Sequence, residues 1–230
     1  MINDYFDKIF IVNLDTRKDR MELIKKSLDK LGIYNYERFQ AIRPKRSSIK
    51  ESTFKNSRSL SKKGLFSGIR KPLLRGLAID KYIVGMSGCK MSHVEIVKIS
   101  KKRGYSKILI FEDDVSFNRD FNSIFNKTIE RIDRIGWDVL YFGANHIKPC
   151  EIIDKNIASA KYTLSTIGYA LSSSTFDFII DNAMSSGKEI DVFYADSLIK
   201  NFKALAFEPN IIYCELGFSD IMGRESSFGC

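Results

Sequence analysis

Apolar residues follow two rhythms along this chain, and a long interval between them follows neither. Ile9-Phe10-Ile11-Val12 is an unbroken apolar run, and the pattern predicts a buried strand over residues 9–14. Met21, Ile24, Leu28 and Leu31 then recur at steps of three and four, which places them on one face of a helix. Thr16-Arg17-Lys18-Asp19 resembles a capping signature at the start of that helix, and Gly32 supplies its stop. An extended piece is expected over 36–42. From Arg43 to about Lys81 the periodicity fails, with Pro44 and Pro72 as breakers, so a surface excursion is expected over about 43–81. Order returns at Ser87, read as the cap of a helix running to Arg103. Lys107-Ile108-Leu109-Ile110-Phe111 predicts a second buried strand, residues 121–135 a helix, and 138–142 a third strand. Further extended pieces are expected at 168–171, 205–207 and 211–214, with helices at 174–184 and 194–202. Strands alternating with helices predict an α/β fold around a mostly parallel sheet, and the 230 residues fit a single domain, 1–230.

Charge changes this picture in one place. The net charge is +9, yet eleven Lys and Arg lie between Arg43 and Ile79 against one acid, Glu51, and the rest of the chain holds 26 basic and 27 acidic residues. The basic character therefore belongs to one segment, which suits peripheral contact with an anionic membrane. That segment also raises an alternative, a module that binds anionic surfaces or nucleic acid. This reading leaves the acids described next unexplained, and nucleic acid is not an expected partner. Cys89, Cys150, Cys214 and Cys230 show no CxxC spacing and read as reduced thiols rather than as a zinc site. With no signal peptide in the first residues, a cytoplasmic location is expected, possible at the inner face of a membrane.

The candidate chemistry lies where the second strand ends in Glu112-Asp113-Asp114. Ligands of open α/β sheets bind beyond the carboxyl ends of the strands. If the chain stays extended there, Glu112 and Asp114 point to one side and Asp113 to the other. Two carboxylates on one side suit Mn²⁺ or Mg²⁺, which can neutralise a departing diphosphate.

Four segments, in order, carry a resemblance to glycosyltransferase family 25: IFIVNLDTRKDR at the start, SGCKMSH at 87–93, ILIFEDDV at 108–115 and FEPNIIYCELGFSDI near the end. GYALSS and YADSLI match more weakly. The resemblance implies a GT-A type glycosyltransferase fold, Rossmann-like, with a mostly parallel sheet flanked by helices. It also implies an inverting, metal-dependent transfer of a hexose, with galactose favoured, from a UDP-sugar to a glycan or glycolipid acceptor, as in lipopolysaccharide biosynthesis. Glu112, Asp114 and Asp220 are then the metal residues. Asn13, Asp15, Arg17, Arg20, Ser92, His93, Glu112 and Asp113 are the donor-binding candidates. Asp196 is the first candidate for the general base and Asp191 the second. Where the family commonly carries acid-Leu-Gly-Cys, this chain has Met86-Ser87-Gly88-Cys89, which keeps a catalytically degenerate relative as a further alternative.

Overall fold

The computed structural model describes residues 2–50, 55 and 72–214, with side chains from Gly76 onward in the second of these stretches, and the backbone of two short strands at 217–219 and 224–226. Its elements are α1 (Ile2–Tyr5), β1 (Lys8–Asn13), α2 (Lys18–Leu31), β2 (Tyr36–Gln40), α3 (Pro72–Lys102), β3 (Lys107–Glu112), β4 (Val115–Phe117) and α4 (Phe121–Ile135). There follow β5 (Val139–Tyr141), β6 (Asn145–His146), β7 (Glu151–Asp154), β8 (Ile157–Ser159), β9 (Thr163–Leu164) and β10 (Gly168–Ser172). The described chain closes with α5 (Phe176–Asn182), α6 (Ile190–Phe193), α7 (Ile199–Asn201), β11 (Ala204–Phe207), β12 (Ile212–Cys214), β13 (Gly217–Ser219) and β14 (Arg224–Ser226).

Eight strands form the central sheet in the order β2-β1-β3-β10-β5-β11-β8-β7. Six run in one direction, and β10 and β8 are reversed, pairing antiparallel with both neighbours. The expected α/β, Rossmann-like GT-A type arrangement is thus the one formed: a sheet of mostly co-directional strands between helices. Alternation along the strands explains the two layers. Ile9, Ile11, Leu109 and Phe111 face α1, α2 and α4, while Phe10, Val12, Ile108 and Ile110 face α3, α5 and α6. With both faces covered, the strands read as continuous apolar runs. On the first face Phe6, Phe125, Phe142 and Phe207 pack ring against ring at centroid distances of 5.0–6.3 Å.

The reading of the third helix needs correction. It starts at Pro72, fifteen residues before Ser87, so Ser87 is an interior residue and not a cap. Proline is tolerated at a helix start, which turns an expected breaker into a first residue. The excursion therefore ends sooner than Lys81, and 51–54 and 56–71 lie outside the described residues. The capping signature at Thr16 is also unrealised: Arg17 holds the cap position without a side-chain cap bond, and its guanidinium pairs with Asp19 instead. Gly32 ends α2 as expected, in the left-handed conformation at φ +67°. The small strands β6 to β9 were not legible, because their residues show no sustained alternation.

Candidate active site at the carboxyl ends of the first and third strands

Register brings the first two motifs together. Val12 of β1 lies opposite Glu112 of β3, so the residues just beyond, Asn13 and Asp113, meet. Asn13 Nδ2 donates to Asp113 Oδ2 at 2.6 Å and to the Arg17 carbonyl at 2.9 Å. Arg38 Nε donates to Asn13 Oδ1 at 2.9 Å. From the first turn of α2, Arg20 reaches Asp113 at 3.0 Å and Asp114 at 3.1 Å. The strict alternation expected of the three acids does not hold. β3 loses its ladder partners at Glu112, and the chain bends into a turn at Asp113 and Asp114. Those two acids share Arg20, while Glu112 turns toward α3 and the segment before β10.

On that side Thr166 Oγ1 donates to Glu112 Oε1 at 2.6 Å, and His93 Nε2 lies 3.6 Å from the same oxygen. His93 Nδ1 is 2.7 Å from the Tyr169 hydroxyl, itself 3.1 Å from that of Tyr194. All three rings are fully buried. His93 Nε2 is buried with no hydrogen-bond partner among the described residues, so the hydrogen-bonded series joins Tyr194, Tyr169 and His93, and the last step to Glu112 is a 3.6 Å approach.

Burial and crowding set the charges. Burial, then the charge of Glu112, pushes the Asp114 carboxyl up to about 7 against the pull of Arg20. Burial also raises Asp113, despite Asn13 and Arg20. Burial would raise Glu112 too, but His93, Thr166 and Arg20 together hold it below the ordinary value. Asp114 Oδ1 is buried with no hydrogen-bond partner among the described residues. One guanidinium thus faces Asp113 and Asp114, with the Glu112 charge beside them. A hard divalent cation suits carboxylate oxygens, and Asp114 Oδ1 is the buried oxygen of this turn left to receive one, with Glu112 the neighbouring carboxylate that would share it. Cys89, His93 and Glu112 also place one donor atom each within 4.8 Å of one another. Burial, then Glu112 and Asp191, pushes the Cys89 thiol well up, so it is a poor ligand.

The chain matches the family model described as glycosyltransferase family 25 (LPS biosynthesis protein) over residues 6–194. It belongs to that family. Among curated proteins, mouse (Mus musculus) procollagen galactosyltransferase 2 is 30% identical over 176 residues, 73% of this chain and 26% of that protein. The bovine (Bos taurus) probable inactive glycosyltransferase 25 family member 3 is 27% identical over 175 residues, 73% of this chain and 27% of that protein. The chain spans about a quarter of the length of these curated relatives. Among solved structures, a UDP-glucose pyrophosphorylase complexed with UDP-glucose aligns with TM-score 0.48 and 12% identity, over 87% of this chain and 89% of that one.

In this family 25 chain the remaining candidates divide. Asp191, in the first turn of α6, is pushed up to about 6 by burial and then by the charges of Glu189 and Glu112, and its Oδ1 accepts the Val192 N–H at 2.8 Å. Asp196 lies in the π-helical turn 194–198 between α6 and α7, and Lys188 Nζ donates to its Oδ2 at 2.8 Å. Asp15 is held away from the acids by Arg38 at 2.6 Å and by Gln40, and Arg17 is paired with Asp19 at 2.8 Å. Ser92 and His93 sit well inside α3, so no helix start at Ser87 stands beside them. The buried Ser92 hydroxyl instead accepts from Ile42 N–H at 2.8 Å and donates to the Gly88 carbonyl at 2.7 Å. Asp220 lies outside the described residues. Sequence reasoning missed Thr166, Tyr169 and Tyr194. The weak GYALSS and YADSLI matches hold the two tyrosines, while Thr166 carried no local signal.

Proposed function

We propose that the domain is an active, inverting glycosyltransferase that moves a hexose, with galactose favoured, from a UDP-sugar to a hydroxyl of a glycan or glycolipid acceptor. The observation that carries this is the buried, unpartnered Asp114 Oδ1 beside Glu112 at the carboxyl end of β3. A bound Mn²⁺ or Mg²⁺ would supply charge neutralisation for the leaving diphosphate. Arg20 and Asn13 hold the acidic turn so that two carboxylates stay close despite their repulsion. Thr166 and His93 orient Glu112. Asp191 is the general base: its raised carboxyl is a stronger proton acceptor than an ordinary carboxylate, and it takes the acceptor hydroxyl's proton as that oxygen attacks the anomeric carbon. Asp196, engaged by Lys188, is less suited to that role. Galactose is favoured by the procollagen galactosyltransferase among the relatives, and a lipopolysaccharide-type acceptor by the family description.

The name of the bovine relative and the Met86-Ser87 pair in the second motif support one competing reading, a silent domain. A donor-hydrolysis screen separates them. The full chain is incubated with several nucleotide-sugars, with Mn²⁺ and with chelator, beside Asp114→Asn. Metal-dependent release of UDP from one donor, lost in the variant, is expected. No release from any donor, together with no Mn²⁺- and UDP-dependent rise in melting temperature, overturns the proposal.

A further inference from the structure

Away from the acidic turn, three metal-ligating side chains converge that share no sequence motif: His146 from β6, Cys150 from the loop after it, and Glu208 just beyond β11. One donor atom from each lies within 4.8 Å of the others. β5 and β11 run parallel with β3, so these residues follow strand ends at the same edge of the sheet as the acidic turn. We propose that His146, Cys150 and Glu208 form a second metal site, for a borderline transition-metal ion of the Zn²⁺ type, distinct from the hard-oxygen site at Glu112 and Asp114.

The donor chemistry selects the ion. A thiolate, an imidazole and one carboxylate suit Zn²⁺, whereas Mg²⁺ and Mn²⁺ prefer oxygen donors. The geometry is close to ready. Metal–ligand bonds of about 2.0–2.2 Å at tetrahedral angles set neighbouring N and O donors about 3.3–3.5 Å apart. His146 Nε2 and Glu208 Oε2 stand 3.7 Å apart, so closing that pair needs a movement of a few tenths of an ångström, with the Cys150 thiol within 4.8 Å of both. Nε2 is buried, with no hydrogen-bond partner among the described residues. The other ring nitrogen, Nδ1, lies 2.8 Å from Thr163 Oγ1. A ring that donates from Nδ1 to Thr163 presents the Nε2 lone pair to the Glu208 side, the usual outer bond of a metal-bound imidazole.

The backbone is already stitched here. Asn210 accepts from Ala144 N–H at 2.9 Å and donates to the Ala144 carbonyl at 3.0 Å, joining the segment after β5 to the one after β11. Three protein ligands leave a fourth position open to water or a substrate oxygen. An ion here pins the 145–150 loop beside the active edge, where the acceptor would enter.

The test is a Co²⁺ titration of the metal-free full chain, read by absorption. Expected are one equivalent of tetrahedral Co²⁺ with a thiolate charge-transfer band, displaced by Zn²⁺ and lost in Cys150→Ser and His146→Ala. Cys89→Ser retains the band, because its thiol belongs to the other cluster. Glu208→Gln keeps the thiolate band and weakens binding at least about tenfold, and Thr163→Val weakens it about 10- to 100-fold by freeing the ring. Circular dichroism of each variant checks the fold. Absence of a thiolate band in the folded wild-type chain, its survival in folded Cys150→Ser, or its loss in Cys89→Ser overturns the site.

Discussion

Asp114 is a carboxylate whose burial works against the metal-free protein. Its folded value of about 7 lies above the ordinary 3.8, so the folded state binds its proton more tightly than the unfolded state does. As pH rises from about 4 to about 7 the unfolded carboxyl ionises first, and stability falls by an amount on the order of 4 kcal/mol, then levels. Asp191, raised to about 6, adds to the fall over a narrower window, while Glu112, held low, acts in the opposite sense. Metal-free Asp114→Asn should therefore melt above the wild type at pH 8 and level with it near pH 4, and Mn²⁺ should stabilise only the wild type. Melting curves at both pH values decide; an equal fall in the variant would place the cost elsewhere. The two base candidates part at this scale as well. Asp191→Asn should lower turnover about 10²- to 10⁴-fold with UDP affinity unchanged. Asp196→Asn should lower it far less, since Lys188 already holds that carboxylate. A single-turnover assay with a binding measurement separates them, and the reverse ranking would return the base to Asp196.

At the scale of elements, α3 matters more than its motif suggested. Its side chains supply His93 to the site and pack beneath the sheet through Val94, Ile96 and Val97, all buried. The helix approaches the chain after β2 so closely that a Cβ on Gly88 would sit 2.2 Å from the Ile42 carbonyl oxygen. That oxygen is backbone and cannot swing aside, so glycine is required here by close approach and not by an unusual φ. Gly88→Ala should destabilise the domain by roughly 1–3 kcal/mol. Ser92→Ala, which removes the bond from Ile42 N–H, should add a smaller loss of about 1 kcal/mol. Urea denaturation with an unchanged m-value measures both, and a neutral Gly88→Ala would mean the helix can slide outward. Thus helix docking accounts for Gly88 and Ser92 of the SGCKMSH segment, and His93 is its member beside Glu112.

For the whole molecule the uneven charge leads to a prediction independent of catalysis. Among the described residues no helix is long and apolar enough to cross a membrane. The eleven Lys and Arg of the 43–79 stretch are proposed to hold the protein against an anionic surface, each adjacent charge contributing about 1 kcal/mol. Co-sedimentation with vesicles containing phosphatidylserine should be strong, should fall with salt, and should vanish when Lys62, Lys63, Arg70 and Lys71 are changed to Gln. Equal pelleting with neutral vesicles would remove the idea.

The α/β class, most of the buried strands, and the acids at the end of β3 were fixed by local pattern, because two-sided burial and an abrupt change from apolar to acidic are written in adjacent residues. α4 was legible for the same reason: Phe121, Phe125, Ile129 and Ile132 keep helical spacing. What local pattern left open was decided by juxtaposition. The start of α3 at Pro72 was hidden because Pro72 reads as a breaker and Gly76 as a poor helix former, on a helix that the fold supports. The turn at Asp113 depends on where β1 and β10 stop pairing with β3. The proposed preference for Asp191 over Asp196 rests on the Lys188 bond to Asp196, which forms only where the turn before α6 folds back onto the 194–198 turn. Thr166 reaches Glu112 across 54 residues of chain and Tyr169 reaches His93 across 76, with Tyr194 joining through Tyr169, and His146, Cys150 and Glu208 meet only because β5 and β11 are neighbours. Spacing along one strand or helix repeats every two to four residues, whereas a site assembled from strand ends has no period in the sequence and exists only once the sheet order is set.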